Sequence, residues 1–246
     1  MKKSIKLVSI IAFTVIIWVN AFAKTPLPSS LDGDRYATPA KSQSGLGLCW
    51  LFADNAVLET YIKKTTGVEV NLSENHSLHG IFRSRFGITS KDIGSGNTSM
   101  SVTYWLRGEL GGPVLTQDDY PYTGNPTNWN QNAPRYGRVT NVQWIPESEL
   151  PELQNNTGYD TVFRNNIKEA INNYGSVAVS LYSNTSQLNR SPKGVSYYYN
   201  DPKSYSNTNH VIQILGWDDN YSAENFANQP PGDGAWYVKN STTGGK

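Results

Sequence analysis

The chain has 246 residues, with 21 basic against 20 acidic side chains and a single cysteine. A balance so near neutral argues against a nucleic-acid binder or a polybasic membrane surface, and one cysteine excludes a fold held by intrachain disulfides. The length suffices to bury a substantial core, as one large domain or as two lobes.

Residues 1–23 read as an export signal. Lys2, Lys3 and Lys6 precede an apolar stretch of 13 residues, Leu7–Val19, and Ala21-Phe22-Ala23 fits a small-residue cleavage site. The stretch is shorter than the ~20 residues of a membrane span, so no stable membrane insertion is expected after cleavage. Removal takes three lysines and no acid, leaving 18 basic against 20 acidic residues. From 24 to 41, Pro26, Pro28, Gly33 and Pro39 predict a loop. A helix is expected from Cys49 to about Lys64, apolar round most of its circumference and therefore central and buried, with Gly67 as its stop. Ser73 caps a second helix reaching about Arg83. Glu59 and Glu74 read as solvated helix charges.

After the loop Gly94–Ser99, a third helix is expected through Met100, Tyr104 and Trp105, ending at Gly111-Gly112-Pro113. The stretch 118–134 is irregular in pattern. Arg138–Ile145 reads as a strand. Asp160 or Thr161 caps a fourth helix whose Phe163, Ile167, Ala170, Ile171 and Tyr174 form one stripe, closed by Gly175. Ser176–Tyr182, His210–Trp217 and Ala235–Lys239 alternate as short strands, whereas 184–206 is rich in Asn, Ser and Tyr and reads as loop. The fold class is therefore α+β, with a helical lobe over 24–135 and a β-rich lobe over 136–246.

Cys49 is either an inert buried side chain or a reactive nucleophile. A thiolate is the reactive form, and Cys49 opens a helix, where outward-facing N–H groups favour negative charge. Acyl transfer at such a sulfur needs donors for the developing oxyanion, and the Gln43 side chain with the Cys49 N–H would supply two. It also needs a base. Of His76, His79 and His210, the last begins a strand of the second lobe and is placed to face the helix terminus. Asn240, ending the final strand, suits a neutral group that orients the imidazole. His76 and His79 share a helix face, but no third ligand accompanies them and no metal site is expected.

These residues lie in segments that resemble, in order, those of the papain-like (C1 family) cysteine peptidases, from about Leu27 to Ser241. Pro39–Phe52 resembles the oxyanion and nucleophile segment. Asn71-Leu72-Ser73-Glu74-Asn75 resembles the family's Leu-Ser-Glu-Gln helix start, and Gly94–Met100 its glycine-rich substrate loop. Asp119–Gly124 resembles its Tyr-Pro-Tyr turn, and the His210 and Asn240 segments its strands carrying base and orienter. The resemblance implies a two-lobe fold with the active-site cleft between the lobes. It implies Cys49 as nucleophile, His210 as general base and acid, Asn240 as orienter and Gln43 as oxyanion donor, with backbone groups of Gly96 and Asn97 binding an extended peptide. The reaction it implies is hydrolysis of peptide bonds through an acyl-enzyme, by an exported monomer acting on peptide or protein substrates without metal or organic cofactor. Leu46 stands where the family usually has a cysteine, and cysteines expected near Gly80 and Gly94 are absent, which suits a bacterial-type, secreted or periplasmic member. Thr242–Lys246 follow Ser241 where the family continues Trp-Gly and a further strand, so the chain reads as short at this end. Two other readings of the same residues are a truncated or degenerate homologue that binds peptides without turnover, and a transpeptidase.

Overall fold

The computed structural model describes residues 26–82, 96–106, 120–123, 132–145, 161–191, 194–199 and 208–241. The signal segment, Asp160 and the glycines at 111 and 112 lie outside them. The architecture is α+β in two lobes, built on one long helix and one mixed-neighbour strand. Helix α1, Cys49–Thr66, ends where Gly67 takes a left-handed φ of 75° and donates its N–H to the Lys63 carbonyl. Its buried residues run round the circumference and include Trp50, Leu51, Phe52, Ala53, Ala56 and Ile62, as a helix apolar on all sides requires. Helix α2, Glu74–Phe82, starts at Ser73, whose hydroxyl accepts the His76 N–H at 3.1 Å and donates to the Tyr120 carbonyl at 2.8 Å. Helix α3, Thr98–Trp105, stops well before Gly111.

In the second lobe, helix α4 spans Thr161–Tyr174, with Thr161 inside the helix and Gly175 closing it at φ 100°. Strand β5, His210–Asp218, is the centre of the main sheet. Strand β2, Val177–Leu181, pairs with it antiparallel, from Leu181 opposite His210 to Val177 opposite Ile214. Strand β6, Ala235–Lys239, takes the other edge from Gln213 to Asp218, with an irregularity between Ile214 and Gly216. Two expectations of loop fail. Ser30–Leu31 form strand β1 against Trp217 and Asp218, and Leu188–Ser191 with Gly194–Tyr197 form a hairpin, β3 and β4. Arg138–Ile145 joins no ladder among the described residues. Its partly buried residues, Val139, Val142 and Ile145, recur every third position rather than every second. Val139 packs on the core of α1–α3 and Ile145 on the core between α4 and the sheet, so the segment crosses from one lobe to the other.

Polar groups hold these layers in register. Gln213, fully buried on β5, directs its Nε2 at the Ala56 carbonyl, Thr60 Oγ1 and Ser176 Oγ, at 2.8–2.9 Å. His76 lies between Tyr104 Oη, 2.8 Å from Nδ1, and an Arg135 guanidinium nitrogen, 3.1 Å from Nε2. Arginine only donates, so Nε2 accepts and Nδ1 carries the proton toward Tyr104. Where the resemblance led to a cysteine near position 80, Gly80 instead leaves room for the Tyr104 ring: a Cβ there would stand 2.1 Å from a ring carbon. The missing cross-link is replaced by packing.

Glu59 and Glu74 are not solvated. Each is 1% exposed, and both face the Lys41 ammonium, at 2.6 Å and 2.8 Å. Lys41 also donates to the Leu72 carbonyl, while Glu59 accepts from Thr38 Oγ1 and the Leu72 N–H. Lys239, at the end of β6, donates to the Thr38 carbonyl and hydroxyl. Burial pushes Lys239 down to about 8, against the pull of Glu59. Sequence pattern alone treats a helical Glu as exposed because it does not show a lysine 18 positions away. Removing one member of a buried pair leaves its partner charged and uncompensated, so Lys41→Met is expected to destabilise the fold by about 3–5 kcal/mol in urea unfolding. A loss below ~1 kcal/mol would place these charges in contact with water.

Candidate active site

The N-terminus of α1 meets the sheet where β5 begins. Cys49 is the first residue of α1, with Leu48 preceding it and no side-chain cap present. The first N–H groups of the helix are thus available to the sulfur and its surroundings. Cys49 is 8% exposed. Burial alone raises its thiol pKa. A hydrogen bond from His210, the Val211 N–H, the charge on His210 and the Trp50 N–H together outweigh that, and the net shift is below the ordinary 9.0. His210 moves the opposite way, above 6.5, chiefly through its hydrogen bond with Cys49, then against burial, then through Asn240. Opposed shifts on two groups sharing one proton favour the thiolate–imidazolium pair.

His210 Nε2 stands 2.8 Å from Asn240 Oδ1. The amide oxygen can only accept, so Nε2 carries a proton and Nδ1 is the nitrogen that faces the sulfur. Asn240 Oδ1 also accepts the Ser241 N–H at 2.8 Å, which fixes the amide plane.

Gln43 is anchored by five hydrogen bonds. Its N–H donates to the Ser241 carbonyl, and its own carbonyl accepts from the Leu46 N–H and Tyr122 Oη. Its Oε1 accepts from Ser241 Oγ at 2.8 Å, and its Nε2 donates to the Leu46 carbonyl. One amide hydrogen of Nε2 is thereby used and the second remains for another acceptor. The loop reaches this shape through Ser44 and Gly45, both at positive φ, 54° and 75°. Leu46, in the position of the absent cysteine, packs on the α1 core and ties the loop down by burial.

Gly96 and Asn97 flank the same helix. Gly96 lies on the Trp50 indole so closely that a Cβ would stand 2.5 Å from Cε2. Both residues are exposed, but Asn97 Oδ1 accepts the Ser99 N–H and its carbonyl takes the Met100 N–H, so it caps α3 as well. The structure therefore brings together Cys49, His210, Asn240 and Gln43 and sets Gly96 against Trp50, the residue after Cys49. Sequence reasoning missed Ser241 and Tyr122. Ser241 adjoins Asn240 and Tyr122 lies in the Tyr-Pro-Tyr turn, so both were within segments already singled out. The Val211 N–H carries no side-chain signal at all. Among the described residues, no three His, Cys, Asp or Glu side chains are grouped to hold a metal.

Residues 27–243 match the profile of the papain family cysteine proteases. The chain belongs to that family. Mouse cathepsin K is 24% identical over 218 residues, covering 87% of this chain and 56% of its own, and mouse cathepsin S is 24% identical over 224 residues, covering 90% and 57%. The chain thus spans a little over half the length of the cathepsins it matches. Among solved structures, the cysteine protease and lectin-like domains of Cwp84, a surface-layer-associated protein of Clostridium difficile, superpose with TM-score 0.68 at 28% identity, over 87% of this chain and 45% of that one. Bromelain of Ananas comosus, in complex with the E64 inhibitor, shares the fold at TM-score 0.60 and 21% identity, over 87% of this chain and 83% of its own. The papain-family frame thus accounts for the α+β two-lobe architecture.

Alkylation by a neutral thiol reagent is expected to follow an ionisation below 9.0, and His210→Ala is expected to move that inflection upward. A pH profile identical in the two proteins would remove the imidazole as the source of thiol acidity.

Proposed function

We propose that this chain is an exported, bacterial-type cysteine endopeptidase. The observation that carries the reading is the chain of hydrogen bonds from Cys49 to His210 to Asn240, in a protein of the papain family. In this reading the Cys49 thiolate adds to a peptide carbonyl. The oxyanion that forms is met by the Cys49 N–H and by the second amide hydrogen of Gln43. The His210 imidazolium gives its proton to the departing amine, the C–N bond breaks, and a thioester to Cys49 remains. His210, now neutral, takes a proton from water, hydroxide adds to the thioester, and the acid is released with the thiolate and imidazolium restored. Asn240 keeps the ring in line for both transfers without adding negative charge beside the thiolate.

The peptide binds extended, between a helical lobe over 24–135 and a β-rich lobe over 136–246, with Gly96 and Asn97 along its main chain. The protein acts as a monomer, secreted or periplasmic, on peptide or protein substrates. Among the described residues, no helix is long and apolar enough to cross a membrane.

Cys49→Ala is expected to abolish turnover while leaving the fold and peptide binding in place. Gln43→Ala is expected to lower kcat by about 10²–10³-fold with little change in KM. The pH profile of kcat/KM should be bell-shaped, its acid limb set by thiol ionisation below 9.0 and its alkaline limb by loss of the imidazolium proton above 6.5. Full activity in Cys49→Ala refutes the mechanism. With a competing amine present, amide exchange in place of hydrolysis would make the protein a transpeptidase, and neither product would make it a non-catalytic binder.

A further inference from the structure

Position 54 lies in the interior of α1, one turn beyond Trp50, where packing calls for an apolar or small residue. Asp54 occupies it at 2% exposure, and its Oδ2 has no hydrogen-bond partner among the described residues. Burial raises the carboxyl to about 7, and the hydroxyls of Ser101 and Thr98 partly oppose that rise. No cation pairs with it among the described residues. A carboxyl so placed weakens the fold, and what it secures lies on α3, where the Ser101 and Thr98 hydroxyls face it. Thr98 Oγ1 donates to Asp54 Oδ1 at 3.1 Å, across 44 positions of the chain.

Two residues before Thr98, Gly96 rests on the Trp50 indole. Asn97, between them, spends its side chain on the N-terminus of α3. The exposed edge 96–98 is therefore attached to α1 at two places, a face contact at Trp50 and a hydrogen bond at Asp54. Apolar contact is non-directional and permits sliding, whereas a hydrogen bond fixes distance and direction. Both attachments fall within the first turn and a half of α1, next to Cys49.

We propose that Asp54 is a positioning residue: through Thr98 it fixes the Gly96–Asn97 backbone at the height above α1 where an extended peptide pairs with it. The proposal rests on the peptidase reading, and it makes Asp54 a determinant of affinity for an extended substrate. Asp54 itself touches neither substrate nor the reacting atoms.

The test compares the full chain with Thr98→Val, Asp54→Ala and Asp54→Asn on two substrates, a peptide with four residues before the scissile bond and a single-residue ester. Stoichiometric labelling of Cys49 counts the folded, active fraction of each. Thr98→Val, which is isosteric, and Asp54→Ala should raise KM for the peptide about tenfold, the worth of one hydrogen bond, with kcat and ester hydrolysis within about twofold. Asp54→Asn keeps the acceptor at Oδ1 and should restore the peptide KM. Loss of kcat at constant KM, equal effects on both substrates, or failure of Asp54→Asn to restore KM overturns the proposal while leaving the peptidase intact. Should the unaltered protein hydrolyse nothing, the peptidase reading falls, and the comparison is made as peptide Kd in the Cys49→Ala background. There, a Kd that Thr98→Val leaves unchanged, or an absence of binding, overturns the proposal too.

Discussion

The arrangement depends on a largely covered ammonium, 17% exposed. Lys41 sits between two carboxylates that are withdrawn from water, and each of the three belongs to a different part of the chain. Lys41 lies just ahead of Gln43, Glu59 is in α1 with Cys49, and Glu74 opens α2. The Thr38 hydroxyl that serves Glu59 also receives Lys239, the residue before Asn240. One electrostatic knot thus lies next to Gln43 and Asn240 in the chain and on the same helix as Cys49. Its desolvation is costly, and its return is geometric: charges in low dielectric tolerate only a narrow set of separations. That narrowness holds Gln43, α1 and the end of β6 at fixed mutual positions without a disulfide.

The same logic governs the site. Neither Cys49 nor His210 is unusual alone. Placed on elements from opposite lobes and brought into contact, each supplies the charge that stabilises the other, and the backbone N–H groups of Trp50 and Val211 add to the thiolate side. Ser241 then joins the Asn240 amide to the Gln43 amide. Its N–H meets Asn240 Oδ1 and its hydroxyl meets Gln43 Oε1. Two neutral amides, 197 positions apart in number, are therefore set by a single serine, and neither can swing without disturbing the other.

Much of this was legible in the sequence. Central α1, its stop at Gly67, the Ser73 cap, the stripe on α4 and the three strands each carry a local signal: a periodicity, a capping residue, a β-branched run. Cys49 and His210 stood out as candidates because the chain has one cysteine and three histidines, whereas Gln43 and Asn240 stood out only through the segments that resemble the family's. What escaped has a common physical origin in long-range pairing. Ser30–Leu31 is too short to alternate and becomes a strand only because Trp217 and Asp218 offer it an edge. The hairpin at Leu188–Tyr197 is polar and lacks a core-facing pattern. The crossing segment 138–145 shows β-branched residues but buries them in threes, which a ladder does not do. Glu59 and Glu74 read as surface charges because their compensation comes from elsewhere in the chain.

The imidazole and the Val211 N–H reach the sulfur from the sheet, while the sulfur itself rides on a helix. Its acidity is therefore a property of the assembled molecule. Separate the two halves by a few ångströms, as in a nascent, heat-loosened or partly digested copy, and the sulfur reverts to an ordinary, mostly protonated thiol. A chain of this design is chemically quiet until it is correctly shaped, and it falls quiet again when that shape is lost.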